Sequence, residues 1–460
     1  MQDLLGRLKA ALPAGTVLEG ADAQAKARSP IGRALGAPAA VLLPASSDQV
    51  SAILRLCHGA RQPIVAWGGR TGLVDGAMAD GALALSLERM NRIEAIDRLG
   101  ATMTVEAGCV LQTACEAAEA EGLLFPLDLG ARGSATIGGN IATNAGGNRV
   151  IRYGMMRDLV LGLEAVLADG TIVSSLNRLI KNNAGYDLKQ LFIGSEGTLG
   201  IITRAVLRLR PRPVSQNTAF AAIDRFEKLP RLLRHMERAL GGALSAFEVM
   251  WADFYALVTT PPARGRPPLP HGHPYYVLVE AMGGDQEEDA ARFEWALAVA
   301  LEAGDVADVV IAKSQAECQS MWALRDDVIQ LARNFPIFVF DVSLGIADME
   351  SYVAELRQAL TARWPASTLV IFGHLGDGNL HVIVGVGDAG AEARHAVEAM
   401  VYGGLRERGG SISAEHGIGL EKRPYLAWSR SPEEIALMHR LKTMLDPHGI
   451  LNPGKVLAAG

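Results

Sequence analysis

Apolar and polar positions along the 460-residue chain follow two periods, and the switches between them mark out elements. MQDLLGRLKAALPAG spaces its leucines on one face of a short helix that Pro13 ends. PAAVLLPASSDQVSAILRLCHGARQPIVAWGG reads strand, turn, helix, strand, glycine turn, with Ser46 or Ser47 as the cap and Gly59 as the close. From there to about residue 213, short β-branched runs alternate with glycine-rich loops. LEAVLADGTIVS (163–174) predicts a hairpin turned on Asp169-Gly170. The polar, proline-punctuated RLRPRPVSQN (207–216) predicts a domain boundary. Beyond it, helical periodicity runs near 225–241 and 285–303. Strands are predicted near 275–281, 336–343, 368–374 and 380–384. TTPPARGRPPLPHGHP (259–274) reads as a surface loop, and the tail from about 425 as mostly helical. The pattern is α+β in both halves, without an internal repeat.

Composition narrows the class. The chain is too long for one ordinary core, and 49% hydrophobic with 20% charged residues suits a soluble globular enzyme. A net charge of −6, from 44 basic and 50 acidic residues with no long run of one sign, excludes a general nucleic-acid binder. Cys57, Cys109, Cys115 and Cys318 form no CxxC pair, which predicts a reduced, cytoplasmic setting. The N-terminus lacks the apolar core of a signal peptide. No stretch reaches the roughly 18 apolar residues of a membrane span. Peripheral contact at the inner membrane stays open.

Two segments look built for a phosphate-bearing cofactor. PIVAWGGRTGLVDG (63–76) runs a strand into Gly68, Gly69, Gly72 and Gly76. PLDLGARGSATIGGNIATNAGGNRVIRYG (126–154) carries Gly130, Gly133, Gly138, Gly139, Gly146 and Gly147 among Ser134, Thr136, Asn140, Thr143 and Asn144. Glycines let backbone N–H groups approach an anion, and small polar side chains with few carboxylates suit a diphosphate. Flexible loops are the plain alternative. Two other motifs fail on context. GVGDAG (385–390) follows the second arm of a tight hairpin rather than opening a βαβ unit. GILNPGK (449–455) has Val456 where a Walker A loop needs Ser or Thr.

VIFGHLGDGNLHVIV (370–384) is the most specific local signal. A two-residue turn at Asp377-Gly378 would place His374 opposite His381, with Cβ atoms roughly 4.5–5.5 Å apart on one face. Both rings could reach one metal ion, and Glu415 of SAEHGIG (413–419) offers a third ligand. Two His and one Glu leave a position open, as in catalytic zinc sites. A His pair across a hairpin is more often an ordinary pair, and these residues alone leave both readings standing.

The glycine segments, together with KNNAGYDLKQLFIGSEGTLGIITRAVLRLRP (181–211), GHLGDGNLH and AEHG, resemble the vanillyl-alcohol oxidase type of flavoenzyme over about residues 35–455. Its D-lactate and D-2-hydroxyglutarate dehydrogenase branch is the most similar. The resemblance implies a two-domain α+β fold with an FAD-binding domain and a ferredoxin-like substrate (cap) domain. The expected division is a helical lead-in (1–34), the FAD domain (35–213), the substrate domain (214–424) and a C-terminal helical segment packing back on the FAD domain (425–460).

FAD is expected on Trp67, Gly68, Gly69, Arg70, Thr71, Gly72 and Leu73 of the first segment. In the second, the resemblance points to Pro126, Leu127, Asp128, Gly133, Ser134, Ile137, Gly138, Gly139, Asn140, Thr143, Asn144 and Gly146. Glu196, Gly197, Gly200, Ile202 and Asn452 complete the set. Arg70 stands where a covalently attaching histidine often sits, so the flavin is expected to be non-covalent.

By the same resemblance His374, His381 and Glu415 hold zinc (manganese and iron stay open), His416 is the general base, and Arg325 takes the substrate α-carboxylate. The implied reaction oxidises a D-2-hydroxy acid by proton transfer to His416 and hydride transfer to flavin N5. Ile329, Val339 and Ile383 replace polar residues of the 2-hydroxyglutarate branch. Aliphatic walls disfavour a second carboxylate, so D-lactate, longer aliphatic acids or D-mandelate are expected. D-2-hydroxyglutarate or D-malate oxidation is the alternative, as is a flavoprotein subunit of a glycolate oxidase complex. A quinone, an electron-transferring flavoprotein or a cytochrome would reoxidise the flavin, and a homodimer is open.

Overall fold

The computed structural model describes residues 1–458. The chain forms two compact units, one of Met1–Gly147, Gly154–Arg212 and the stretch from Glu415, the other of Asn148–Tyr153 and Pro213–Ala414. The chain thus returns to the first unit at Glu415, ten residues before the 425 read from the sequence. Loop 415–419 already hydrogen-bonds there: Ile418 and Gly419 donate their N–H groups to Glu196. Residues 148–153, placed with the FAD domain from sequence, instead belong to the second unit. Arg149 pairs there with the buried Glu280 (Nε–Oε1 3.0 Å).

The first unit holds two main sheets. In one, strands Ala40–Leu42 and Ile64–Trp67 flank Leu83–Ser86 in parallel, and Val17–Leu18 pairs antiparallel at the edge. Runs such as AVL are buried on both faces, as parallel strands usually are. Helix Ser47–Ala60 between two of them is capped by Ser46, whose hydroxyl accepts from the Gln49 N–H, and closes on Arg61 in the left-handed region. The other sheet is antiparallel, in the order Ile93–Asp97, Thr102–Glu106, Ile201–Arg208, Val160–Val166, Ile172–Ser175. Its last hairpin turns through Gly170 at φ +86°, beside the Asp169 read from sequence. The C-terminal stretch joins this unit through a parallel bridge from Leu451 to Ile64.

The second unit is built on a seven-stranded antiparallel sheet in the order Asp308–Ile311, Ser215–Ile223, Tyr275–Gly283, Leu244–Trp251, Thr368–His374, Asn379–Gly385, Ile337–Ser343. Its first four strands in sequence, with helices Lys228–Ala239 and Gln286–Glu302, have the strand order of a split βαβ, ferredoxin-like layout. Three later strands extend the sheet. One face is covered by an aromatic and aliphatic cluster including Phe220, Met250, Phe254, Tyr276, Leu324, Phe372 and Ile383. Among the described residues, no helix is long and apolar enough to cross a membrane.

Candidate active site

The sheet of the second unit places a row of ionisable side chains on one face. Strand pairing sets Glu248 opposite His374, His381 opposite Phe372, and Asp341 opposite His381. Side chains directly opposite share a face, as do residues two apart along a strand. Glu248, His374, His381 and Asp341 therefore line up across four strands, with the two histidine rings 5.4 Å apart between centroids.

The pairing differs from the tight hairpin expected from sequence. Residues Leu375–Asp377 form a 3₁₀ turn, Gly378 closes it at φ +84°, and His381 faces Phe372 instead of His374. Leu375 is fully buried. The Gly378 carbonyl also accepts the Leu344 N–H (3.1 Å), so the turn is drawn into the fold. The slip is by two residues, an even number, so both histidines keep the shared face.

Ligand atoms of His374, His381 and Glu415 lie within 4.8 Å of one another, as do those of Asp341, Glu415 and His416. Chain connectivity places Glu415. It follows Ala414, whose N–H donates to Asp341 Oδ2 (3.2 Å). Asp341 is wholly buried and also accepts from Asn379 Nδ2 (3.1 Å).

The donor set of the first group fits a divalent metal. His374 Nδ1 faces Glu248 Oε1 at 2.6 Å, so Nδ1 carries the proton and Nε2 keeps its lone pair, the arrangement of metal-bound histidines. Arg325 Nη2 donates to that lone pair (3.1 Å), while its Nε donates to Glu248 Oε2 (2.8 Å). Burial pushes the Glu248 carboxyl up, but the Arg325 charge and the hydrogen bonds from His374 and Arg325 hold it below the ordinary carboxylate range. Arg325 is buried at the end of helix Gln315–Asp326. Glu248 and Asp341 went unread in the sequence. Their signal is a lone acid inside a mostly apolar strand, LSAFEVMW and IFVFDVS.

The three positions read as aliphatic substrate walls separate. Ile383, two residues from His381 on the same face, is 1% exposed and packs in the core cluster. Ile329 and Val339 are 73% and 52% exposed. Val339 lies on the edge strand and Ile329 on the 3₁₀ segment Val328–Asn334, so neither forms a buried wall in this unit.

In the first unit the two glycine segments run against each other. A Cβ on Gly69 would stand 2.1 Å from the Ser134 carbonyl oxygen, and one on Gly68 would stand 2.7 Å from Thr136 Oγ1. Beside this contact Thr136 Oγ1 and Asn140 Nδ2 are buried without a protein partner, while Gly72, Gly130 and Gly133 have open space at the Cβ position. Orphaned buried donors and open glycines fit a cofactor that completes them. Gly69→Ala is expected to part the segments, at least halving the ratio of flavin to protein absorbance in the purified enzyme. An unchanged ratio would refute this reading.

Other side chains read as flavin contacts are committed to the protein. Trp67 is core, its Nε1–H donating to the Ala77 carbonyl (2.7 Å). Arg70, at φ +57°, donates to the Lys26 carbonyl. Asp128 pairs with Arg132, and Asn144 Oδ1 accepts the Arg157 N–H. Thr143 bonds the Gly139 carbonyl. Asn452 accepts the Ala66 N–H and donates to the Glu196 carbonyl. Gly197 and Gly200 pack against Asn452 and Phe192, and Ile202 is core. Burial raises the Glu196 carboxyl despite its two backbone donors.

The chain is similar to known proteins over most of its length. The family described as FAD linked oxidases, C-terminal domain, matches residues 212–456, and that described as FAD binding domain matches residues 38–175. The chain is 42% identical to a D-2-hydroxyglutarate dehydrogenase of Xanthomonas citri pv. viticola, covering 91% of this chain and 89% of that protein. It is 42% identical to the mitochondrial D-2-hydroxyglutarate dehydrogenase of Rattus norvegicus, over 92% of this chain and 79% of the relative. A Schizosaccharomyces pombe protein named provisionally as a mitochondrial D-lactate dehydrogenase is 38% identical, over 90% and 81%. In fold, a p-cresol methylhydroxylase structure superposes with a TM-score of 0.78 over 99% of this chain and 97% of that one, at 16% identity.

Proposed function

The chain belongs to the FAD-linked oxidase family and is an FAD-dependent D-2-hydroxyacid dehydrogenase; on that premise we propose that it oxidises D-2-hydroxyglutarate with the help of a divalent metal, zinc first, at His374, His381 and Glu415. The observation that carries the metal reading is the donor set itself: two histidines and a carboxylate within 4.8 Å, with Glu248 fixing the tautomer of His374. The names of the relatives favour the diacid over the apolar acids expected from sequence. Exposure of Ile329 and Val339 removes most of the reason for rejecting a second carboxylate.

Each residue then has a task. Arg325 presents a planar fork to the substrate α-carboxylate. His416 accepts the proton of the 2-hydroxyl. The metal, when bound, supplies Lewis-acid polarisation of that hydroxyl. FAD, when bound, supplies the hydride acceptor, with N5 as the accepting atom. A small 2-hydroxy acid and an electron acceptor are the partners of such an enzyme.

Ile383 supports a second reading. A buried aliphatic side chain two residues from His381 suits an apolar substrate tail, as in D-lactate or D-mandelate. Anaerobic mixing with D-2-hydroxyglutarate, D-malate, D-lactate and D-mandelate separates the two by which acid bleaches the flavin fastest. D-2-hydroxyglutarate leading by tenfold or more is the expected result. D-lactate or D-mandelate leading would return the assignment to apolar acids. Bleaching by none of them, with FAD and metal bound, would sink both and leave a subunit role.

A further inference from the structure

We infer that Glu248 is a positioning residue that holds the metal ligand His374 and the substrate arginine Arg325 on one carboxylate. The inference rests on the metal reading above and goes beyond it in naming what sets the ligand and the arginine. Glu248 is 1% exposed, the one charged residue of its strand, and both of its oxygens are used. Oε1 takes the His374 Nδ1–H at 2.6 Å and Oε2 takes the Arg325 Nε–H at 2.8 Å. Arg325 Nη2 closes the ring onto His374 Nε2 at 3.1 Å, so each of the three side chains bonds the other two. The guanidinium also lies 5.4 Å from the centre of the Phe372 ring.

A buried ion pair needs no histidine, and such pairs are often replaceable without loss of stability. What this ring adds is direction. The carboxylate fixes the His374 tautomer, so Nε2 is the atom left with a lone pair for a metal. The Nε bond pins the guanidinium, so if Nε2 turns to a metal, Arg325 keeps its place and its Nη2–H becomes available to a carboxylate. One buried residue thereby sets the spacing between the metal and the anion site.

Glu248→Gln tests this. An amide has one acceptor oxygen and one NH₂, so it can serve either His374 or Arg325 but turns a donor toward the other. Zinc affinity, measured by competition with a chromophoric chelator on the FAD-loaded protein, is expected to weaken by about 10–100-fold. KM for the preferred 2-hydroxy acid should rise, while kcat at saturating zinc and substrate changes less than KM. Arg325→Met removes the arginine alone and should raise KM with zinc affinity kept. Zinc affinity unchanged in Glu248→Gln, or weakened as much by Arg325→Met, would overturn the inference. If the glutamine variant fails to fold, Glu248→Asp keeps the charge but is too short for both partners, and wild-type zinc affinity in it would overturn the inference equally. A wild-type protein that binds no divalent ion would instead sink the metal reading itself.

Discussion

His381→Ala is expected to lower kcat/KM on the order of 10³-fold or more, with bound FAD retained. His381 is one of only three protein donors in its group, and two remaining ligands make a weak site for any divalent ion. What is lost is charge stabilisation at the reacting oxygen, and removal of a single preorganised electrostatic contributor costs roughly 10²–10³-fold even when the others remain. Its position makes it a cleaner probe than His374. His381 is partly exposed, whereas His374 is buried in the ring with Glu248 and Arg325, and its removal would take one partner from each of two buried charged groups. The residues expected to contact the flavin lie in the first unit and share no strand with His381, so flavin absorbance should stay at the wild-type ratio. Steady-state kinetics with metal content measured on the same samples decides it. A variant that keeps its metal and more than a tenth of its activity would remove His381 from the ligand set.

That the two histidines could be paired from sequence, although their register could not, has a physical reason. Side-chain direction in a strand has period two, so an even slip preserves the face while changing the partner. The turn itself departs from the expected hairpin because Asp-Gly signals a tight loop only when nothing else claims the flanking residues. Here Leu375 is claimed by the core and the Gly378 carbonyl by Leu344. Local patterns were legible where local physics rules: the Ser46 cap, the turn beside Asp169, and the strands at 368–374 and 379–385.

What depends on sheet order was not legible. Glu248 lies 126 positions from His374, and nothing in either segment says that strands Leu244–Trp251 and Thr368–His374 are neighbours. The same applies to Ile329 and Val339. Their apolar character suggested a wall, but a place on an edge strand and a 3₁₀ segment leaves them exposed. The flavin segments were legible as glycine cradles, whereas the assignment of individual side chains to the cofactor was not. Trp67, Asn144 and Asn452 have polar groups that backbone atoms of their own unit already satisfy.

His416→Ala is expected to slow turnover of bound substrate by about 10²–10⁴-fold, the range for loss of a positioned general base. KM, metal content and FAD content should stay near wild type. The backbone of the loop that carries His416 is held by its neighbours. Glu196 accepts from the N–H groups of Ile418 and Gly419 at 2.7 and 2.8 Å. Gly417 and Gly419 take φ of +81° and +53°, and a Cβ on Gly419 would stand 1.9 Å from the Val74 carbonyl. Removing the ring therefore leaves the backbone and the adjacent Glu415 in place. A base lost without loss of binding appears in kcat and kcat/KM equally. Single-turnover flavin reduction under anaerobic conditions isolates that step from reoxidation by the acceptor. Normal reduction rates in the variant would exclude His416 as the base. A rise in KM with kcat intact would make it a binding group, and the proton acceptor would have to be sought elsewhere, with Asp341, grouped with His416 and Glu415 within 4.8 Å, the first residue to examine.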